Sequence, residues 1–178
     1  MDRNIVYPGS IPLETDILNI NRNVMVGLGQ LAMDVLGTST VASGLPCTQT
    51  VVPSMSVAIG PGALYGVQPV DSSAYSSLPS NTTDLTVKQG ILLSSANKQL
   101  TLTAPGTPGS TIIYLIQAAV SEVDAKPIVL PYYNASKPTV AYSGPGDTGT
   151  AQNTTRPVTI NVTAKAGIAA TSPTAPAP

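Results

Sequence analysis

Apolar residues follow two rhythms in this sequence, and the change from one to the other falls near Gly37. Between Asp16 and Leu36 they return at helical spacing: Leu18, Met25 and Ala32 stand seven apart, and Leu28 and Val35 lie three beyond the last two. One apolar seam on an α-helix is the prediction. Thr15 or Asp16 can cap its first turn, Asp16 also suits the positive end of the helix dipole, and Gly37 can stop the helix. Ahead of it, "NIVYPGSIPLE" carries Pro8-Gly9 and Pro12, which block a helix and predict an extended arm.

Gly27 and Gly29 fall inside the helix, where each costs about 1 kcal/mol relative to Ala. They leave the middle of the helix bare, so another backbone can come close. Two partners fit that notch: the same helix of a neighbouring subunit about a symmetry axis, or the chain's own β-domain. The stretch from Gly27 to Ala32 also matches G-x-G-x-x-A, but a dinucleotide fold needs an acid at the end of the next strand. After Asp34 the next acid is Asp71, so the pattern predicts no cofactor.

From Val41 onward the rhythm becomes that of short strands between turns. "SMSVAI" and "ALYGVQPV" flank Gly60-Pro61-Gly62, a hairpin or a tight corner. "DLTVKQGILLS" and "KQLTLTA" read as strands joined by a short Ser/Ala/Asn/Lys turn. "TIIYLIQAAVSEV" is the longest apolar strand and the predicted centre of the sheet, and "KPIVLPYYN" and "RPVTINVTAKAG" follow. Between these two lies a Gly-rich polar loop, residues 143–155, and the chain closes on "TSPTAPAP". The expectation is a mainly β fold, an antiparallel β-sandwich or barrel-like domain over 38–170. The arm and one long α-helix precede it in 1–37, and a flexible Pro/Ala-rich tail, 171–178, follows.

Composition narrows the chemistry. Charged residues are 10% of the chain, well below the usual quarter or so, and the net charge is −1. The basic residues are scattered, which excludes a phosphate-binding stripe and predicts no nucleic-acid partner. So little charge protects a free surface poorly against self-adhesion, and predicts that copies of the chain or other subunits cover much of it. No apolar run is long enough to span a bilayer, and the opening residues carry no export signal, so folding in a reducing cytoplasm is expected. Four N-x-[ST] triplets, at Asn81, Asn134, Asn153 and Asn161, are then products of a Thr/Asn-rich composition.

Histidine is absent, which removes Ser-His-Asp and Cys-His catalysis. Cys47 is the only cysteine, so neither a disulfide nor a zinc cluster can form within the chain. Glu122 and Asp124 would share a face if both stood on one strand, and could bind a cation or serve a hydrolase; the simpler reading is two solvated acids. Tyr132, Tyr133 and Asn134 either pack the edge of the core or form a recognition surface. No metal, cofactor or small-molecule ligand is expected.

Four stretches carry a family likeness: "MDRNIVYPGSIPLETDIL", "NRNVMVGLGQLAMDVLG", "VAIGPGALY" and "VLPYYNASKPTVAYSGPGDTGTAQNTTR". Through them the chain resembles small structural proteins of tailed bacteriophages over most of its length. The resemblance implies a virion component of the tail, of the fibre-attachment, collar or baseplate type, made in the host bacterial cytoplasm. It implies a symmetric homo-oligomer, often a trimer, with other phage tail proteins as partners and no catalytic residues. A capsid decoration protein and a glycan-reading receptor module are the competing expectations. The residues expected to anchor or oligomerise are Leu18, Met25, Gly27, Leu28, Gly29, Ala32 and Val35. Deleting residues 1–37 is then expected to abolish assembly and leave a soluble β-body.

Overall fold

The computed structural model describes residues 2–93 and 98–178; the turn expected at 94–97 lies outside the described residues. The fold is mainly β, with antiparallel sheets and one long helix after a short arm. In the arm, Pro8 and Gly9 turn the chain so that the Ser10 N–H reaches the Tyr7 carbonyl at 3.1 Å, with Gly9 at φ +83°. Helix α1 (Glu14–Leu36) begins two residues before Asp16, earlier than predicted. Asp16 is not the cap. It sits in the first turn and its carboxylate accepts the Leu13 N–H at 2.9 Å, half of a capping box. Gly37, at φ +79°, closes the helix as expected and donates to the Met33 carbonyl at 2.8 Å.

The chain divides into two compact units, Met1–Val120 with Thr159–Pro178, and Ser121–Val158, whereas a single β-domain over 38–170 was expected. In the first unit, β1 (Val41–Gly44), β4 (Gly62–Asp71) and β5 (Asn81–Leu92) form a sheet in the order β1-β4-β5. β2 (Cys47–Gln49), β3 (Ser56–Ile59) and β6 (Lys98–Thr101) form another, in the order β2-β3-β6. Strands β3 and β4 meet at Gly60-Pro61-Gly62 yet belong to different sheets, so that turn is the corner and not the hairpin. A Cβ on Gly62 would collide with the Leu45 and Ser43 backbone, which is why the corner closes only on glycine. The long hairpin is β4–β5, paired from Gly62↔Leu92 to Asp71↔Asn81 with a register shift between Pro69 and Asp71.

β7 (Tyr114–Glu122) pairs with β12 (Val158–Ala166). It is not the centre of a large sheet: among the described residues β12 is its one partner, Gln117, Ala118 and Ala119 are exposed, and β5 is the longer strand. The strict in–out alternation belongs to β12, which buries Ile160 and Val162 and exposes Thr159 and Asn161. These two valine-type positions join Ile59 and Leu64 as the core, with Ile116, Val120, Leu92 and Leu100 packed around it. Layers meet where glycines let them. Gly90 of β5 lies under Ile160 and Thr159, and Gly66 of β4 under Val120. The strands are sandwich-like and no closed barrel forms among the described residues.

The tail, expected to stay unpacked, turns back instead. The Ile168 N–H donates to the Thr174 carbonyl at 3.0 Å and Thr174 returns the bond at 3.3 Å. Backbone groups that pair in this way do not need side-chain burial, which the tail's Pro/Ala composition could not supply.

The second unit holds β8 (Ala125–Ile128) against β11 (Gln152–Thr155), and β9 (Pro131–Tyr132) against β10 (Tyr142–Ser143), both antiparallel. The Gly-rich loop folds on itself. The Ser143 N–H donates to Asp147 Oδ1 at 2.8 Å, and the Gly149 N–H to the Ser143 carbonyl at 2.7 Å. Gly144, at φ +75°, lies against the Thr150 backbone with no room for a side chain.

Candidate assembly interface

Helix α1 packs against β5 and β4, and the seven residues expected to anchor or oligomerise divide between its two sides. Gly29 is buried, and Leu18, Met25, Gly27 and Ala32 are half-buried, whereas Leu28 and Val35 are exposed. The physical reason lies at Gly29. A Cβ there would overlap Thr86 Oγ1 and fall 2.5 Å from the Val87 carbonyl oxygen, so β5 occupies the notch. Of the two partners that fitted the glycines, the chain's own sheet holds Gly29. Arg22, one heptad earlier, fastens the same side: its Nε stands 2.8 Å from Asp71 Oδ2, and its Nη2 donates to the Pro79 carbonyl at 3.2 Å. Asp71 is buried, and this is a charge pair inside the fold rather than a surface one.

The outer side of α1 carries a second apolar stripe. Ile17, Ile20, Val24, Leu28, Leu31 and Val35 are between 50% and 74% exposed. Leucines and isoleucines scattered singly on a surface need no explanation, but six at helical spacing form a continuous face. At its C-terminal end the face deepens into an open groove of about 440 Å³, where Leu31 and Val35 stand beside Val41 of β1 and Tyr65 of β4. Sequence reading missed Ile17, Ile20, Val24 and Leu31. The signal was present: they form a second three-four repeat, offset by one position from Leu18, Met25 and Ala32. A helix that is apolar all round is generally a buried one, and here the fold covers only the inner side.

The tyrosine cluster does not act as a unit. Asn134 is buried and its Oδ1 accepts the Ser136 and Lys137 N–H groups, each at 3.0 Å, which makes it a turn former. The Tyr132 hydroxyl donates to Gln152 Oε1, and Tyr132 pairs with Tyr142 across β9–β10. Tyr133 is the most open of the three, at 78% exposure against 37% for Tyr132. Asn134→Ala should therefore cost about 1–2 kcal/mol, because two backbone donors lose their acceptor, while Tyr133→Ala should stay within about 0.5 kcal/mol of the parent. Urea unfolding of both variants checks the contrast; equal losses would mean that Asn134 holds no turn.

Glu122 and Asp124 do not share a strand face, because β7 ends at Glu122. Asp124 is taken up by Arg156, whose Nε and Nη2 donate to Oδ1 at 2.5 Å and Oδ2 at 2.9 Å. Those hydrogen bonds hold the Asp124 carboxyl below its ordinary value against the opposing effect of desolvation, and the guanidinium charge adds a smaller lowering. With its folded value depressed, the pair contributes fully at neutral pH and is lost as pH falls through the carboxylate range. Asp124 is 41% exposed, so solvent screening limits the contribution to no more than about 1 kcal/mol. Arg156→Ala should lower stability by up to about 1 kcal/mol at neutral and alkaline pH, and the difference from the parent should disappear as pH falls through the carboxylate range. Thermal unfolding against pH reads this; parallel profiles for parent and variant would exclude the pair as the source.

Cys47 is exposed and free. Among the described residues no three His, Cys, Asp or Glu side chains converge as metal ligands, and no helix is long and apolar enough to cross a membrane. No protein-family model matches the chain, nor does any curated protein or solved structure.

Proposed function

We propose that this chain is a non-enzymatic structural subunit of a phage virion, a fibre-attachment, collar or baseplate component of the tail, that works by assembling with other subunits. Made in the host cytoplasm, it would reach its final form only in the particle. The observation that carries this reading is the outer stripe of α1. An apolar face of that length, fixed in place by Arg22 and Gly29 on the opposite side, is stable in water only when another surface covers it. The acids give the same direction: Asp71 and Asp124 are engaged by arginines rather than held ready for a substrate. The family likeness of the opening residues supplies the virion setting.

A receptor-reading module would need the tyrosine cluster as a cleft, and two of its three members are occupied within the fold. A capsid decoration protein needs the same covered surface as a tail subunit, and location separates the two. Mass spectrometry and immunolabelling of purified particles from the encoding phage should find the chain on tails in a copy number set by a ring or fibre symmetry. Label on tailless heads would replace the tail assignment with the decoration one, and absence from particles would end the virion reading.

A further inference from the structure

An open strand edge is a row of unpaired backbone donors and acceptors, and folds shorten it, charge it, interrupt it with proline or cover it. Among the described residues four strands run beyond four residues, β4, β5, β7 and β12. β4 is central, with β1 and β5 on either side. β5 carries Asp84 and Lys88, and its Val87 carbonyl lies under Gly29 of α1. In β12, Ile160 and Val162 are buried as whole residues, backbone included. β7 has none of these protections. From Tyr114 to Ser121 it holds no charge and no proline, and β12 is its one partner among the described residues.

Alternation tells which of its groups are free. The Ile113 carbonyl accepts the Gly167 N–H at 2.8 Å, so this position faces β12. Backbone groups change sides at each residue of an antiparallel strand. Those of Gln117 and Ala119 therefore turn to β12, and those of Ile116, Ala118 and Val120 turn to the open edge. Exposure agrees with this assignment. Gln117, Ala118 and Ala119 are all exposed. Their side chains point alternately to opposite faces, so one bare face cannot expose all three, and an open edge can.

We propose that the Tyr114–Val120 edge of β7 receives an added strand from a different protein, an extended and uncharged segment with a β-branched residue opposite Ala118. The inference rests on the reading of the chain as an assembly subunit and states what its partner supplies. Only an extended backbone matches a row of alternating donors and acceptors. A charge laid along this uncharged edge would lose water and gain no partner. The residue opposite Ala118 follows from shape. Ile116 and Val120 pack against the core, and Ala118 stands between them on the same face yet is exposed, which leaves a notch beside the core. A second copy of β7, paired antiparallel about that point, would set alanine against alanine and leave the notch empty. Valine or isoleucine from another strand fills it.

The test uses the full chain and an acetylated decapeptide of alternating valine and threonine with a lysine at each end. Once titration has filled about nine-tenths of the chain, amide exchange at Ile116, Ala118 and Val120 should slow by about tenfold, as the unbound fraction falls. Exchange at Gln117 and Ala119, already bonded to β12, should not change. The same peptide with proline at its two central positions should have no effect, because proline cannot extend the ladder. Ala118→Lys, which places a charge at the notch, should keep the parent circular dichroism and lose the peptide's protection. No slowing at the three amides, or equal slowing by the proline peptide, would overturn the added strand. Protection without peptide that rises with protein concentration would assign the edge to a second copy and overturn the foreign partner. Particle labelling answers separately: a chain absent from virions that still takes the peptide loses only the tail reading, and a virion protein whose edge stays bare loses only this inference.

Discussion

Gly29→Ala should destabilise the chain by about 2 kcal/mol, although alanine is the better helix former. The sign is what makes the substitution informative. In a helix facing solvent the exchange gains about 1 kcal/mol, and a glycine kept only by chance would show that gain. Here the added methyl meets the Thr86 hydroxyl and the Val87 carbonyl oxygen. The second of these is backbone within the β4–β5 ladder and cannot rotate away. Helix and strand must separate along the 23 residues of α1, or β5 must shift, and overpacking of this kind costs about 3 kcal/mol. Equilibrium unfolding in urea measures the net. A gain in stability from Gly29→Ala would show that β5 does not fill the notch, and would return the glycine to a partner outside the chain.

Much of the architecture was legible in the sequence because it rests on local physics. The end of α1 followed from Gly37, and its start was placed to within two residues by Pro12 and the first-turn acid, all acting locally. The alternation of "VTINV" announced β12, and the paired glycines around Pro61 announced a sharp change of direction. Pairing across distance was not legible. Nothing near Gly60 says whether β4 continues the sheet of β3 or leaves it, because the choice depends on Leu45 and Ser43 reaching Gly62 from another strand. The apolar run at Tyr114–Glu122 looked central by composition, yet strand centrality is a property of neighbours and not of side chains. The seam on α1 shows the same limit. Periodicity merged Leu18, Met25 and Ala32 of one side with Leu28 and Val35 of the other into a single seam, because α1 has two apolar sides and only the position of β5 tells which of them the fold itself covers.

Those two sides have different thermodynamic roles, and deleting residues 1–37 tests the difference. If α1 served assembly alone, the remaining chain would be a folded, soluble β-body. The structure points elsewhere. Deletion removes Arg22 from a buried Asp71, and breaking such a pair costs roughly 3–5 kcal/mol. It also uncovers β5 where Thr86 and the Val87 backbone lie beneath the helix, and removes the half-buried Leu18, Met25 and Ala32. Domains of ordinary stability hold only about 5–15 kcal/mol in total. The truncated chain should therefore lose its cooperative unfolding transition and bind a hydrophobic dye such as ANS, as loosely packed states do. Val24→Glu touches only the outer side and should keep both the transition and the dye-free baseline. A sharp thermal transition in the truncated protein, close to that of the full chain, would mean that the inner side of α1 contributes little to the fold and that both sides of the helix are available to partners.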